Sequence, residues 1–199
     1  MKKFPLAIFF LLIPFALVAA PKKAKGDNAK QQKSEFTLFE RVLDREKGDQ
    51  IPTVHVFIQE QELILDIDGE TAVISPVSTG RKKGWTPVGE YSIIGKSANH
   101  RSNTYGKHVS KSGKVVRSSV DSRKSTPPQG GRFVGSPMPN FLRMTNNGIG
   151  IHAGVLPGYP ASHGCIRVPK EVSKVLFEKC PIGTKVFVWN NKSEQPGQT

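Results

Sequence analysis

The stretch "SHGCIR" at residues 162–167 places a hydroxyl, an imidazole, a thiol and a guanidinium within six positions. A thiol is a strong acyl acceptor only as the thiolate, and a neighbouring imidazole is the usual group that takes its proton. The chain has five histidines. His163 stands two residues before Cys165, and His152 closes the run "GIGIH". An extended 163–165 segment would put both side chains on one face. Gly164 points instead to a tight turn with exposed amides. The N–H groups of Gly164 and Cys165 are then candidate oxyanion donors, with Ser162 beside them. A Cys/His acyl-transfer site is one reading of this set. A zinc site is a second, because His152, His163 and Cys165 offer three ligands, although no CxxC or HxxxH pair accompanies them. A disulfide to Cys180 is a third, and a buried structural thiol beside two incidental histidines is a fourth. Cys180 ends an amphipathic segment just before Pro181, where a buried free thiol is expected.

These residues need rigid elements to hold them. From residue 52 the apolar period is two: "TVHVFIQ", "ELILDID" and "ETAVISPVSTG" read as strands, with "DG" at 68–69 as a turn. His55 lies in this pattern and reads as a surface strand residue. "GEYSII", "NFLRMT", "GIGIHAG" and "TKVFVW" read as further strands, with "NNG" joining the second and third. Short strands close in sequence favour an antiparallel sheet, barrel or sandwich. His152 therefore sits at a strand end. The loop "AGVLPGYPA" after it, with two prolines and two glycines, can fold back and carry the histidine to the cysteine. "PKEVSKVLFEKC" has proline at its first helical position and an apolar face of Val172, Val175, Leu176 and Phe177, an amphipathic helix. "TLFERVLDRE" reads as a shorter one, with Thr37 and Glu40 at capping-box spacing. Residues 96–137 are rich in Ser, Gly, Pro, Lys and Arg and carry one acid, Asp121. They read either as a basic flap over a groove or as a solvated insertion, with "VSKSGKVV" as a small hairpin inside.

The chain has 199 residues and a formal charge of +13. That length suffices for one cored domain with short extensions. Residues 1–20, "MKKFPLAIFFLLIPFALVAA", combine Lys2 and Lys3, an apolar run and small residues at 19–20, the pattern of a secretory signal peptide. The run carries Pro14 and falls short of the ~20 residues a membrane span needs. Cleavage, with no span left in the mature chain, is the expectation. Residues 21–50 read as a basic tether followed by the short helix, 51–190 as the domain, and 191–199 as a flexible tail. In an exported protein the positive charge suits an anionic envelope surface, and no helix-turn-helix, RNA-binding sheet motif or zinc finger points to nucleic acid.

"IHAG…YPASHGCIR" resembles the active-site signature of L,D-transpeptidases of the YkuD type. "VHVFIQEQELILDI" resembles that family's opening hairpin, with Gln61 at its recurrent glutamine. "PVSTGRKKGWTPVGEYSI", "MPNFLRM" and "PIGTKVFVW" resemble three more of its segments, so the likeness spans about residues 53–189. The resemblance implies a mostly β, sandwich-like catalytic domain with minor α. It also implies a set of roles. Cys165 matches the nucleophile, His152 the general base, and the Ala153 carbonyl the group orienting that base. Ser162 and His163 match residues shaping the nucleophile turn, Gly164 and Cys165 would supply oxyanion donors, and Arg167 matches a position that holds a substrate carboxylate. The implied reaction acylates the cysteine with a peptidoglycan tetrapeptide stem, releases D-alanine, and passes the acyl group to an amine as a 3→3 cross-link. It needs no metal or organic cofactor. The implied setting is the periplasm or cell wall. Relatives of the type differ in acceptor: some attach a lipoprotein to the wall or release it, some exchange D-amino acids, and some hydrolyse as carboxypeptidases.

Overall fold

The computed structural model describes residues 35–45, 48 and 50–195. The expected signal peptide at 1–20 and nearly all of the basic tether lie outside the described residues.

β2 (Pro52–Phe57), β3 (Glu62–Ile67) and β4 (Glu70–Pro76) form an antiparallel meander. The turn between β3 and β4 takes Asp68 and Gly69 to φ of +53° and +78°, which a two-residue hairpin turn of this hand requires. β11 (Lys185–Trp189) lies parallel to β2, and β5 (Gly89–Ser92) pairs with its far side. β1 (Thr37–Leu38) adds to the other edge, giving the order β1-β4-β3-β2-β11-β5. A second sheet runs β10 (Ile166–Val168), β9 (Gly150–Ala153), β8 (Arg132–Arg143), β6 (Gly95–Val109), β7 (Val115–Asp121).

Period-two alternation fixes which side chains meet between the sheets. Val54, Val56, Leu63 and Leu65 of the first sheet share one core with Leu142, Ile151, Ile166 and Val168 of the second. Val172 and Leu176 of α2 (Lys170–Lys179) complete it. Each such fully buried aliphatic side chain stabilises the fold by about 1.5–3 kcal/mol relative to exposure. The molecule is thus mostly β with minor α, as expected.

Several local expectations need correction. The sheets are mixed rather than antiparallel: β2–β11 and β9–β10 are parallel pairs. Parallel neighbours need a long crossover, and the 154–165 connection provides one for β9 and β10. Thr37 is no helix cap, because it already pairs with Ile74 in β1; the helix α1 (Glu40–Leu43) is one turn long and starts after Phe39. Pro169 is the cap of α2 and not its first residue. The tail does not begin loose at 191: Lys192–Glu194 form a 3₁₀ turn, and Lys192 pairs with Glu62 at 2.5 Å. His55 is half-buried, stacked on Phe187 at 5.4 Å.

Residues 96–137 depart most from expectation. They are not an irregular insertion but most of β6, all of β7 and the start of β8. The small hairpin expected here is present, with Val109 facing Val115 across the β6–β7 turn. β6 and β8 stay paired across a register shift between Arg101 and Gly106. Glycine is needed there: a Cβ on Gly106 would meet the Phe133 ring at 2.8 Å and the Gly135 Cα at 2.9 Å.

Candidate active site

His152 and Cys165 are brought together by the parallel pair β9–β10. Ile151 and Ile166 face the core, so His152 and Arg167, paired across the strands, face the other way. Cys165 precedes β10 by one residue. Both groups line one cleft of about 1490 Å³, whose walls come from the turn before β9, the 154–165 connection and the β6–β8 strands.

The His152 ring is buried, and its Nδ1 lies 2.8 Å from the Ala153 carbonyl. A carbonyl only accepts, so Nδ1 carries the proton and Nε2 is left as a bare base. Burial drives the His152 pKa down to about 4, against the opposing bond to Ala153 and with the Arg167 charge adding to the fall. Cys165 is partly exposed. Its Sγ lies 3.6 Å from the Gly148 carbonyl. Burial pushes its pKa up, while the Gly150 amide and Arg167 pull it down. Near neutral pH the resting pair is therefore imidazole and thiol, not imidazolium and thiolate.

The turn before the cysteine is cross-braced. Ser162 Oγ accepts from the Gly164 N–H at 2.9 Å and donates to the Cys165 carbonyl at 2.5 Å. Thr86 Oγ1 donates to the Gly164 carbonyl at 2.7 Å and accepts from the Gly80 N–H at 2.8 Å. Gly164 sits at φ +132°, and a Cβ there would meet the Trp85 carbonyl at 2.7 Å, so only glycine fits. The Gly164 N–H, one of the two expected oxyanion donors, is bonded to Ser162 Oγ inside the turn. The Cys165 N–H has no hydrogen-bond partner among the described residues.

His163 is held away from proton transfer to the thiol. It stacks between Trp85 at 5.5 Å and Tyr105 at 3.9 Å. Arg81 Nη2 lies 2.6 Å from its Nε2. A guanidinium only donates, so Nε2 accepts and the ring is neutral. Burial and then the Arg81 charge lower its pKa. Arg81 also takes the lone pair that His163 Nε2 would offer a zinc ion. Among the described residues no three His, Cys, Asp or Glu side chains converge as ligands. Cys165 and Cys180 are both free, and Cys180 is fully buried, its pKa raised to about 12 by that burial.

Comparisons with known proteins place the domain that holds this cleft. A model of the YkuD L,D-transpeptidase catalytic domain matches residues 52–188. The chain belongs to this family. The match coincides within one residue at each end with the stretch carrying the sequence resemblance. Solved L,D-transpeptidase structures share the fold. One from Mycobacterium smegmatis has a TM-score of 0.53 at 19% identity, covering 70% of this chain and 59% of that one. One from Xylanimonas cellulosilytica has a TM-score of 0.51 at 21% identity, covering 72% and 62%. One from Stackebrandtia nassauensis has a TM-score of 0.50 at 24% identity, covering 80% and 62%. The chain thus spans about three fifths of the length of these proteins. A comparison with curated proteins finds no match.

Within this YkuD domain, the residues that sequence reasoning missed are the braces. Thr86, Trp85, Arg81 and Tyr105 carry no acid–base pattern of their own. Gln61 gains a physical role. Its amide donates to the Ile58 carbonyl at 2.7 Å and to Thr79 Oγ1 at 2.6 Å, and accepts from the Thr79 N–H at 3.0 Å. The Thr79 carbonyl in turn receives the N–H groups of Ala161 and Ser162. Gln61 therefore fixes the seat on which the cysteine turn rests. The signal for this in the sequence was the place of Gln61 at the recurrent glutamine of the resemblance. Arg167 lies over Gly154, with no room for a Cβ there: Arg167 Cγ would be 2.8 Å away.

Proposed function

We propose that the protein is an exported cysteine L,D-transpeptidase acting on peptidoglycan stem peptides. The observation that carries this is the bare Nε2 of His152, its other nitrogen fixed on the Ala153 carbonyl, in the same cleft as the Cys165 thiol. His152 takes the Cys165 proton as sulfur attacks the carbonyl of the third stem residue. The Cys165 N–H, without a partner among the described residues, is free to donate to the tetrahedral oxyanion. Collapse breaks the peptide bond. His152 returns the proton to the departing amine, D-alanine leaves, and a thioester remains. An acceptor amine then attacks the thioester and gives its proton to His152. Sulfur leaves as the thiolate and is reprotonated. Arg167, whose guanidinium has no carboxylate within salt-bridge distance among the described residues, suits a substrate carboxylate.

Transfer rather than simple hydrolysis is favoured by the cleft's volume. It exceeds the roughly 300–1,000 Å³ of ordinary small-ligand pockets and leaves room for two peptides. Among the described residues no helix is long and apolar enough to cross a membrane. Mass analysis of products from a defined tetrapeptide fragment, with and without an added amine, tests the reading. Cross-linked or amine-exchanged product is expected, and loss of D-alanine to water alone would make the enzyme a carboxypeptidase. Coupling to, or release from, a lysine-bearing lipoprotein peptide in the same assay would reassign the acceptor. Cys165→Ala is expected to abolish all turnover.

A further inference from the structure

The cleft face of the second sheet carries a second unpaired guanidinium, apart from Arg167. Arg143 alternates with the buried Leu142, so it shares the cleft face with Phe141 and His152. In register it pairs with Gly150 on one side and Gly95 on the other. Cys165, one residue before the Ile166–Ile151 pair, continues the same row beside Gly150, whose amide reaches its sulfur. The row therefore reads Cys165, Gly150, Arg143, Gly95. Between the two side chains Gly150 is buried, and the Phe141 ring lies against it, 2.6 Å from where a Cβ would stand. With strands about 4.8 Å apart, Arg143 starts about 10 Å from the cysteine backbone.

Its environment suits a visiting anion. The guanidinium lies 5.9 Å from the centroid of the Phe141 ring, which holds it along the cleft face. Among the described residues it makes no salt bridge and no side-chain hydrogen bond. Among the described residues Glu171 is the one carboxylate lining the cleft, against four cationic side chains, of which only Arg123 is spent on an internal carboxylate, Asp121. An arginine fork left without an acceptor in a partly desolvated cleft matches a planar carboxylate better than any other common group.

We propose that Arg143 is a carboxylate anchor of the acyl-donor site, separate from Arg167. It selects donors that carry a free carboxylate within about one residue of the carbonyl that Cys165 attacks. This rests on the reading of Cys165 as the acylated thiol. The Phe141 ring, with His100 stacked on it at 4.4 Å, fills the floor between the two side chains, so the donor backbone crosses that stack while its carboxylate reaches Arg143.

The test uses two synthetic tetrapeptide donors that differ only at the third residue, one with a free side-chain carboxyl and one with the carboxamide. Binding is measured by calorimetry on the Cys165→Ala protein, where no turnover intervenes. The acid is expected to bind about tenfold more tightly than the amide, the effect of one charge-assisted hydrogen bond of ordinary strength. Adding Arg143→Gln should weaken the acid to the level of the amide and leave the amide unchanged. Arg143→Lys should keep part of the preference. Equal binding of acid and amide, a preference that survives Arg143→Gln, or loss of both donors together would overturn the proposal. Thioester formation on the wild-type chain, read by mass spectrometry, reports separately on acyl transfer. Its failure beside an intact, Arg143-dependent preference would sink the transpeptidase reading alone.

Discussion

At the residue scale the protonation states decide the chemistry. With the His152 pKa lowered to about 4 and that of Cys165 raised, neither group is charged near neutral pH. The proton must then move during attack and not before it. Two outcomes follow. First, a histidine whose pKa falls keeps its basic form down to lower pH, so kcat/KM for donor acylation should hold through the ordinary histidine range and drop only as pH falls through about 4. An acid limb centred near pH 6.5 would show that the imidazole is not desolvated in solution. Second, iodoacetamide labelling of Cys165 should be slow at neutral pH and rise only above the usual thiol range. A labelling inflection below pH 7 would reveal a thiolate–imidazolium pair and overturn the neutral resting state.

At the scale of elements the cysteine turn is held from outside itself, and two braces can be tested apart. The Gln61 amide makes three hydrogen bonds at the β2–β3 turn, where its own φ is +51°. Gln61→Asn keeps an amide and a residue type that accepts this backbone, but its shorter side chain cannot span to Thr79. It should cost about 1–3 kcal/mol in chemical denaturation, because the Thr79 N–H loses its acceptor. Donor kcat should fall more than KM rises. The second brace is Tyr105 of β6 against the His163 ring. Tyr105→Ala should slow acylation of Cys165 several-fold with little change in Tm, and Tyr105→Phe should restore the rate, since stacking and not the hydroxyl is what His163 feels. A Phe variant as slow as Ala would move the role to the Tyr105–Arg123 contact instead. These braces also explain what was legible. Strands with one buried face, such as β3 with Leu63, Leu65 and Ile67 inward, announce themselves by alternation. β7 is exposed on five of its seven residues and β6 buries none before Gly106, so no apolar period marks them and their Ser/Lys/Arg content reads as loop. The pair His152 and Cys165 was visible because strand end, turn glycine and thiol lie close in sequence. Arg81, Thr86 and Tyr105 lie 60 or more residues before Cys165 in the chain and reach the turn only through sheet packing.

At the scale of the whole molecule, charge and cysteine placement set how the proposed enzyme meets its substrate. The 96–137 stretch carries one acid, Asp121, which is locked to Arg123 and held at a pKa of about 2 by it. Lys107, Lys111, Lys114 and Arg117 of β6, β7 and their hairpin are exposed and without an acidic partner among the described residues, on a chain of formal charge +13. Attraction of this kind is long-range and is screened over about 8 Å at physiological ionic strength. Co-sedimentation of the Cys165→Ala protein with purified, anionic wall sacculi should therefore be strong at low salt and fall steeply as salt rises. The pH optimum of acylation on a small soluble donor should not move with salt, because the cleft pair is neutral. Replacing Lys107, Lys111, Lys114 and Arg117 together with glutamine should reduce sedimentation several-fold and leave turnover of the small donor within about twofold. Sedimentation insensitive to both salt and these substitutions would place wall affinity in the cleft rather than in the outer strands.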